Sequence, residues 1–309
     1  MAFQSNVNVE LRYGAESTYG TQSAAAGQKL RRVSSTLALT KDVFTSNEVR
    51  PDQQISDMRH GAKRVAGQIS GELSQATYDD FIAAALRSSW SSNEVTNGVL
   101  RPSFTIEQYY PDLDITELFK GCRVGDMSIS MPATGMATVT FGIQGQNMVA
   151  SSASSAPFFV SPSSATTTGV MSGVNGSLSI DGVGSSIVTS LDLNLTNNLN
   201  STPVVGSTTI PEIFYGRSVV TGTVSAYFDS TSLLNAFINE TVVALAVELT
   251  ATDSTALKFK MNRVKLNGAS KTIGADGGVI ASFPFQALLA TGVSGDGDGT
   301  LVVERTPAV

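Results

Sequence analysis

The sequence has 309 residues, which is enough for one large domain or two domains of ordinary size. Only 15% of the residues are charged and 41% are hydrophobic, with 28 glycines and many Ser and Thr, so the composition favours a β-rich fold. The net charge of −6 argues against tight binding of nucleic acid, because affinity for phosphates comes mainly from clustered Lys and Arg. The single cysteine, Cys122, excludes an internal disulfide and a zinc site built on several thiolates.

Both ends of the chain are predicted to be extended arms. The N-terminal arm, residues 1–33, lacks the basic start and long apolar run of a signal peptide. The C-terminal arm, residues 293–309, begins with the glycine-rich stretch VSGDGDG. Arms of this kind become ordered on a neighbouring molecule more often than on their own domain. No stretch of the chain is apolar enough to predict a membrane span.

A strand followed by a short amphipathic helix occurs twice, at residues 65–86 and 220–238. In the first copy Thr77 is the predicted N-cap, and two aspartates in the first turn complement the helix dipole. The predicted apolar face of this helix consists of Tyr78, Phe81, Ile82 and Ala85. In the second copy Ser232 takes the cap position. The apolar face of that helix consists of Leu234, Phe237 and Ile238.

Neighbouring segments match in the same order, which indicates an internal repeat. The matching pairs are residues 36–40 (TLALT) with 177–181 (SLSID), 67–70 (GQIS) with 222–225 (GTVS), 104–107 (FTIE) with 245–248 (LAVE), 119–124 (FKGCRV) with 259–264 (FKMNRV), and 141–144 (FGIQ) with 283–286 (FPFQ). Each copy is predicted to contain one strand, a long loop, a second strand, one helix and three further strands.

The repeat predicts a mainly β protein with two tandem domains, each a β-sandwich or barrel with one flanking α-helix, because a single helix cannot fill a domain of this size. The predicted division is an N-terminal arm over 1–33, repeat 1 over 34–146, a Ser/Thr/Ala-rich linker over 147–172, repeat 2 over 173–292 and a C-terminal arm over 293–309. The linker could dock through Phe158 and Phe159.

The residues that catalysis would need are not found in a catalytic pattern. The one histidine, His60, lies among polar loop residues, and Cys122 lies on an alternating strand. The sequence contains no phosphate-binding loop and no dinucleotide-binding fingerprint. We therefore expect no enzymatic activity, no cofactor and no metal.

Four segments together resemble the major tail tube proteins of long-tailed bacteriophages, of the siphophage type. They are YGAESTYGT at 13–21, the loop at 47–61 that leads into VAGQISGEL at 65–73, VTSLDLNLTNNL at 188–199, and RSVVTGTVSAYF at 217–228. The resemblance implies a structural virion protein that stacks as rings into a tail tube, through which the genome is ejected. It also implies inner strands that form a continuous β-barrel around the lumen.

The resemblance implies partners as well. These are further copies of the chain, a tape measure protein in the lumen, tail tip and tail terminator proteins, and DNA that passes without specific binding. The tail would be assembled in the host bacterial cytoplasm. Related tubes are hexameric rings of single-domain subunits, so a chain with two tube domains predicts a homotrimeric ring with pseudo-sixfold symmetry.

Two long loops, over residues 41–64 and 201–217, are predicted to stack on the next ring, because loops of this length are not idle connections in compact domains. The residues expected to make polar contacts between rings are Arg50, Asp52, Asp57, Arg59, His60 and Arg64. Two alternatives remain open. One is another self-assembling β protein, such as a capsid decoration or secretion-tube component, and the other is a sugar-binding β-sandwich of a tail tip.

Overall fold

The computed structural model describes residues 3–181, 183–185, 187–229, 231–274, 276–292 and 298–307. The predicted mainly β architecture with two helices is confirmed. The elements of the first half, which we define as residues 3–152, are β1 Glu10–Ala15, β2 Gln28–Leu30, β3 Ser34–Ser35, β4 Ala38–Thr45, β5 Met58–Glu72, α1 Asp79–Ala85, β6 Glu94–Thr96, β7 Phe104–Tyr110, β8 Ile115–Pro132, β9 Thr138–Gly145 and β10 Asn147–Ser152.

The second half begins at residue 176. Its elements are β11 Gly176–Ile180, β12 Val183–Ser185, β13 Val188–Thr196, β14 Asn200–Ser201, β15 Ile213–Phe214, β16 Val219–Tyr227, α2 Ser232–Ile238, β17 Val243–Thr250, β18 Ala256–Leu266, β19 Ser270–Thr272, β20 Ile280–Ala287 and β21 Val302–Thr306. Short 3₁₀ helices span Asn6–Asn8, Ala153–Ser155 and Gly173–Asn175. None of the helices in the described ranges has the length and apolarity needed to cross a membrane.

Each half contains two sheets that share one long strand. In the first half, one sheet has the order β2-β1-β7-β8-β10 and the other has the order β4-β5-β9-β8. Strand β8 belongs to both because its first part pairs with β7 and its last part with β9. All of these pairings are antiparallel. We call the first sheet the outer sheet and the second the inner sheet.

The second half repeats this order of pairings. Its outer sheet runs β12-β11-β17-β18-β21, and its inner sheet runs β13-β16-β20, with β18 and β19 pairing in succession along β20. Strand β18 is therefore the counterpart of β8, and β13 is the counterpart of β4. One predicted match is wrong: residues 177–180 lie in β11, which occupies the place of β1 and not that of residues 36–40. Both segments alternate small and apolar residues, so sequence alone could not tell them apart.

The two inner sheets are joined into one. The last part of β8 pairs with β13, from Ser190 opposite Pro132 to Thr196 opposite Asp126. The joined sheet has the order β4-β5-β9-β8-β13-β16-β20-β18/β19. We call the β8–β13 pairing the internal junction. A single hydrophobic core extends through both halves and includes both Ile129 and Leu193 at this junction.

The two helices differ in burial. The predicted apolar face of α1 is confirmed, because Tyr78, Phe81, Ile82 and Ala85 are all buried, and the Phe81 ring packs against the ring of Phe104. In α2 no residue is buried, and Ile238 is 63% exposed. The apolar face predicted for α2 therefore lies at the surface of the single chain.

Neither predicted helix cap is formed by the expected side chain. Tyr78 occupies the N-cap position of α1 without a side-chain cap. The Thr77 hydroxyl is instead buried and hydrogen-bonds with Ser74 (2.7 Å) and Thr166 (2.5 Å). The N-cap of α2 is Thr231, and Ser232 is the first helical residue. Tertiary hydrogen bonds thus compete with the local capping preference of Ser and Thr.

The segments expected to be free arms contribute strands to the same chain. In the N-terminal segment, β1 lies between β2 and β7, and its Leu11 and Tyr13 are buried. In the C-terminal segment, β21 lies between β18 of the second half and β6 of the first. Residues 293–297 of that expected arm lie outside the described residues. The apolar residues of β1 and β21 are buried in the chain's own core, so these strands need no neighbour to become ordered.

Candidate assembly surfaces

The long loop predicted over residues 41–64 is largely a β-hairpin. Strands β4 and β5 pair from Ala38 opposite Ala66 to Thr45 opposite Met58, and a tip of residues 46–57 joins them. The tip is exposed almost throughout. A hairpin with both faces in solvent cannot be supported by the core of its own domain, so it is a candidate contact with another molecule.

The predicted contact residues all lie on this hairpin, but most of their charges are paired within it. Arg50 contacts Asp52 with 3.1 Å between Nε and Oδ1, and the hydrogen bond from Arg50 lowers the pKa of the Asp52 carboxyl. Arg59 contacts Asp57 at 2.7 Å. Such exposed pairs contribute little to stability, so they remain available to a partner.

The other two predicted residues lie on the strands near the tip. Arg64 is 3.7 Å from a carboxylate oxygen of Asp42, across the β4–β5 pair. His60 is exposed, and its backbone is paired with that of Val43. The structure therefore places all six predicted residues on one hairpin and brings no catalytic partner to His60 among the described residues.

The apolar side chains of the hairpin were not among the predicted contact residues. Val49 is 96% exposed, Ile55 is 72% exposed and Phe44 is 63% exposed. Exposed apolar groups on a projecting tip favour burial against a partner more strongly than exposed ion pairs do. The signal was available in the sequence, where these residues are spaced through a stretch of otherwise polar residues.

The second predicted contact loop, over residues 201–217, packs on the first half of the same chain. Ile210 and Ile213 in this loop are buried. Arg123 of β8 donates to the carbonyl of Ile213 and forms an ion pair with Glu212, and the Gln146 amide donates to the carbonyl of Ile210 at 2.8 Å. Residues 202–208 are exposed, and Phe214 is 52% exposed, so contact of this part of the loop with the next ring stays a prediction.

The predicted linker over residues 147–172 is ordered against the outer sheet. Its first residues form β10, and Phe159 is buried, which confirms the predicted docking of Phe159. The carboxylate of Glu107, on β7, accepts backbone hydrogen bonds from Phe158 (2.6 Å) and Phe159 (3.2 Å). Arg12 donates to the carbonyl of Phe159 at 2.7 Å. A Ser/Ala-rich stretch is thus held by one buried carboxylate and one guanidinium.

Cys122 is buried in the strand that its alternation predicted. Its side chain belongs to the core of the first half, and burial raises the pKa of the thiol. A buried thiol with a raised pKa has little thiolate and is a poor nucleophile.

One face of the joined inner sheet is polar across both halves. A row of side chains runs from strand to strand in register, and its members are Ser70, Thr140, Ser128, Asn194, Thr221 and Gln286. Ser70 and Thr140 share a hydrogen bond of 2.9 Å, and Ser128 donates to Asn194 at 2.6 Å. The residues between them, such as Ile129 and Leu193, face the core. The sheet therefore separates a hydrophobic core from a hydrated face.

The charges at the middle of this polar face are acidic. Asp126 is exposed, and Asp192 accepts a hydrogen bond of 2.6 Å from Ser130. Both aspartates lie at the internal junction, one on β8 and one on β13. A face of hydroxyls, amides and carboxylates attracts water and repels phosphates.

Comparison with known proteins agrees with this architecture. A search of curated proteins finds no match to the chain. The family model described as "Phage tail tube protein" matches residues 7–287, which cover the strands from β1 to β20 and the hairpin. A match over nearly the whole chain shows a structural component of the phage tail, and the chain belongs to the phage tail tube protein family.

Proposed function

We propose that three copies of this chain form each ring of the tail tube, and that the rings stack into a conduit for genome ejection. The observation that carries this proposal is the repeated order of sheets in the two halves, joined edge to edge at the internal junction. Each half supplies an inner sheet of the same order, so three chains provide six equivalent units. The polar face of the joined sheet is the wall of the lumen, and the helices lie on its other side.

An acidic, hydroxyl-rich wall suits a conduit for DNA. Asp126 and Asp192 repel the phosphates, so the genome slides along the wall without binding to it. Before DNA enters, the same lumen holds the tape measure protein, and the tube ends on tail tip and terminator proteins. The tail is of the non-contractile siphophage type and is assembled in the host cytoplasm. The chain has no enzymatic role.

End-on electron microscopy of tubes formed from the purified protein tests the ring. Class averages should show a hollow ring with threefold symmetry and pseudo-sixfold features. Native mass spectrometry of single rings should give the mass of three chains of 32.3 kDa. Six chains in one ring, or particles without a lumen, would overturn the proposal.

We propose in addition that the hairpin formed by β4 and β5 contacts the next ring. The residues that carry this contact are Arg50, Asp52, Asp57, Arg59, His60 and Arg64, together with the exposed apolar side chains of the tip. Support comes from the exposure of the tip and from Val49 and Ile55, which have 96% and 72% of their surface in solvent. Buried between two rings, each of these two side chains contributes about 1.5 kcal/mol or more.

Deletion of residues 49–57 tests this contact. The variant should fold, because the tip contributes no residue to the core, and it should fail to form tubes. The double variant Arg50→Asp/Asp52→Arg is the matched control for the polar part, since it preserves the ion pair within the tip and reverses its polarity. Normal tubes from the deletion variant would refute the hairpin contact and leave the ring proposal standing.

A further inference from the structure

The joined inner sheet ends in two edges that have no strand partner among the described residues. One edge is β4, which pairs with β5 only. The other is formed by the end of β18 and by β19, which pair along β20 on one side. Unpaired backbone donors and acceptors along a strand edge are a template for a further strand. These edges lie at opposite ends of the sheet and belong to opposite halves of the chain.

The two edges are the counterparts of the two strands of the internal junction. Strand β4 corresponds to β13, because Leu39 pairs with Val65 in the first half as Leu195 pairs with Val220 in the second. Strand β19 corresponds to the last part of β8, because Ser270 pairs with Ser282 as Ser128 pairs with Thr140. The chain therefore contains one formed junction and both sides of a second junction.

We propose that β19 of one chain pairs with β4 of the next chain in the register of the internal junction. This inference rests on the ring proposed above and specifies its chain-to-chain contact. At the internal junction Ser128 lies opposite Asn194 and Met127 opposite Leu195. Ser270 is the counterpart of Ser128, and Ala38 is the counterpart of Asn194. The same register therefore places Ser270 opposite Ala38 of the next chain. It also places Ala269 opposite Leu39, Lys271 opposite Leu37 and Ile273 opposite Ser35.

Burial supports this register. Met131, at the internal junction, is only 5% exposed, whereas its counterpart Ile273 is 82% exposed in the single chain. Leu195 is fully buried, whereas its counterpart Leu39 is half-buried. Pairing in the proposed register covers both side chains on the core side of the sheet. The apolar groups left exposed at the edges are thus those that the internal junction already buries.

The same correspondence predicts that a residue of the next chain contacts the exposed helix α2. At the internal junction the Asn197 amide, just after β13, donates to the carbonyl of Ala85 at the end of α1 at 2.8 Å. The counterpart of Asn197 is the exposed Lys41, and Ile238 is the last residue of α2 as Ala85 is the last residue of α1. An ammonium group at a helix C-terminus is favourable. Lys41 of the next chain therefore lies against the end of α2.

The junction between chains is less apolar than the internal junction. The core-side residues of the internal junction include Ile129 and Leu193, both fully buried. At the matching positions of the edges stand Lys271 and Leu37. Interfaces of subunits that exist free before assembly are less hydrophobic than permanent ones. The external edge thus has the composition expected for a chain that is soluble before it enters a ring.

Disulfide trapping tests the register. The variant Ala38→Cys/Ser270→Cys places thiols at facing positions, where the counterpart side chains of Ser128 and Asn194 are 2.6 Å apart. After assembly into tubes and mild oxidation, we expect most chains to be linked to a neighbour on a non-reducing denaturing gel. The native Cys122 is buried and stays reduced. A ladder that ends at three chains supports both the junction and the ring, whereas a ladder that ends at six supports the junction and overturns the trimer.

Two matched variants control for chance collisions. In Ala38→Cys/Lys271→Cys the second thiol points to the opposite face of the sheet, so we expect at least about tenfold less cross-linking. In Ser128→Cys/Asn194→Cys the disulfide should form within one chain. Normal tubes with no link between positions 38 and 270, or with equal linking at the shifted pair, would overturn the register while the tube remains.

If the cysteine variants do not assemble, hydrogen exchange on the natural chain tests whether β19 pairs with β4 of the next chain. Backbone amides of residues 36–40 and 268–273 should exchange at least about tenfold more slowly in tubes than in free chains. Unchanged exchange at both edges in assembled tubes would refute the proposed pairing.

Discussion

Asp79 in helix α1 and Arg305 in strand β21 form an ion pair across 226 residues of sequence, with 2.5 Å between Oδ2 and Nη1. Asp79 is 6% exposed, and the Arg305 guanidinium also lies over the Trp90 ring at 4.5 Å from its centroid. The pair fixes the C-terminal strand to the helix of the first half. Removal of the arginine leaves a carboxylate buried without its counter-ion.

We expect Arg305→Ala to lower the free energy of unfolding by about 2 kcal/mol at neutral pH, less than for a fully buried pair because the arginine is partly exposed. Burial raises the pKa of Asp79, although Arg305 opposes this shift. Because the folded state holds this proton more tightly than the unfolded state, stability falls as pH rises above the usual carboxyl value of 3.8. Arg305→Ala should steepen that fall, as measured by urea unfolding between pH 4 and pH 7. In a protein that carries Asp79→Asn, Arg305→Ala should lower the free energy of unfolding by less. An equal loss with and without Asp79→Asn would contradict the ion pair.

Gly67 and Gly222 occupy corresponding positions on β5 and β16, where the neighbouring strand passes close to the glycine. A Cβ atom at Gly67 would lie under 3.0 Å from the carbonyl oxygen of Thr36, and one at Gly222 under 3.0 Å from that of Asp192. Backbone atoms of a paired strand cannot move aside at low cost. We expect Gly67→Ala and Gly222→Ala each to lower the unfolding free energy by about 1 to 3 kcal/mol.

Thermal unfolding of the free chain measures both glycine variants. Gly274→Ala serves as the comparison, because its nearest heavy atom would be 3.9 Å away. A similar loss at Gly274, or no loss at either strand glycine, would contradict the close approach of the strands.

Glu107 is fully buried and orders the segment that follows β10. We expect Glu107→Ala to release Phe158 and Phe159 and to leave Arg12 without its buried partner, at a cost of about 3 kcal/mol. Limited proteolysis should then cut between residues 150 and 165, where we expect the natural chain to resist. Glu117→Ala is the control, since that half-buried carboxylate accepts a hydrogen bond from Tyr110 and touches none of these residues. Resistance to proteolysis in Glu107→Ala would show that the segment is held in another way.

The acidic residues of the polar face predict that the tube does not retain DNA. We expect tubes of Asp126→Lys/Asp192→Lys to retain short double-stranded DNA at low salt and to release it at high salt, because the new cations attract phosphates. Co-sedimentation of labelled DNA with the tubes measures this retention. The variant Asp112→Lys/Asp114→Lys makes the same charge change at the turn between β7 and β8, away from the polar row. Equal retention by both variants would argue that these aspartates do not line the lumen.

The sequence predicted the elements whose side chains alternate between core and solvent. The spacing of Phe81 and Ile82 placed helix α1 correctly, and the paired motifs around Phe119 and Phe259 located the strands shared by the two sheets. It failed for the hairpin, whose strands were taken as loop. Both faces of that hairpin are in solvent, so Met58, Arg59 and His60 show no alternation of apolar and polar residues.

Long-range pairing was beyond the sequence pattern as well. Strand β21 follows a glycine-rich stretch that is typical of a flexible tail. Its sequence does not predict that it pairs with β6. The six residues expected at the inter-ring contact share one hairpin, and their role stays a prediction. The internal junction was not anticipated, since the polar side chains of Ser128 and Asn194 gave no sign that their backbones pair.

The position of β21 has a consequence for the folding of the first half. This strand fills the gap between β18 and β6 and supplies the counter-ion of Asp79. The first half is therefore complete only when a strand from the second half has paired with it, and contacts between segments far apart in sequence form slowly. We expect the two halves to fold as one cooperative unit and not as two independent domains.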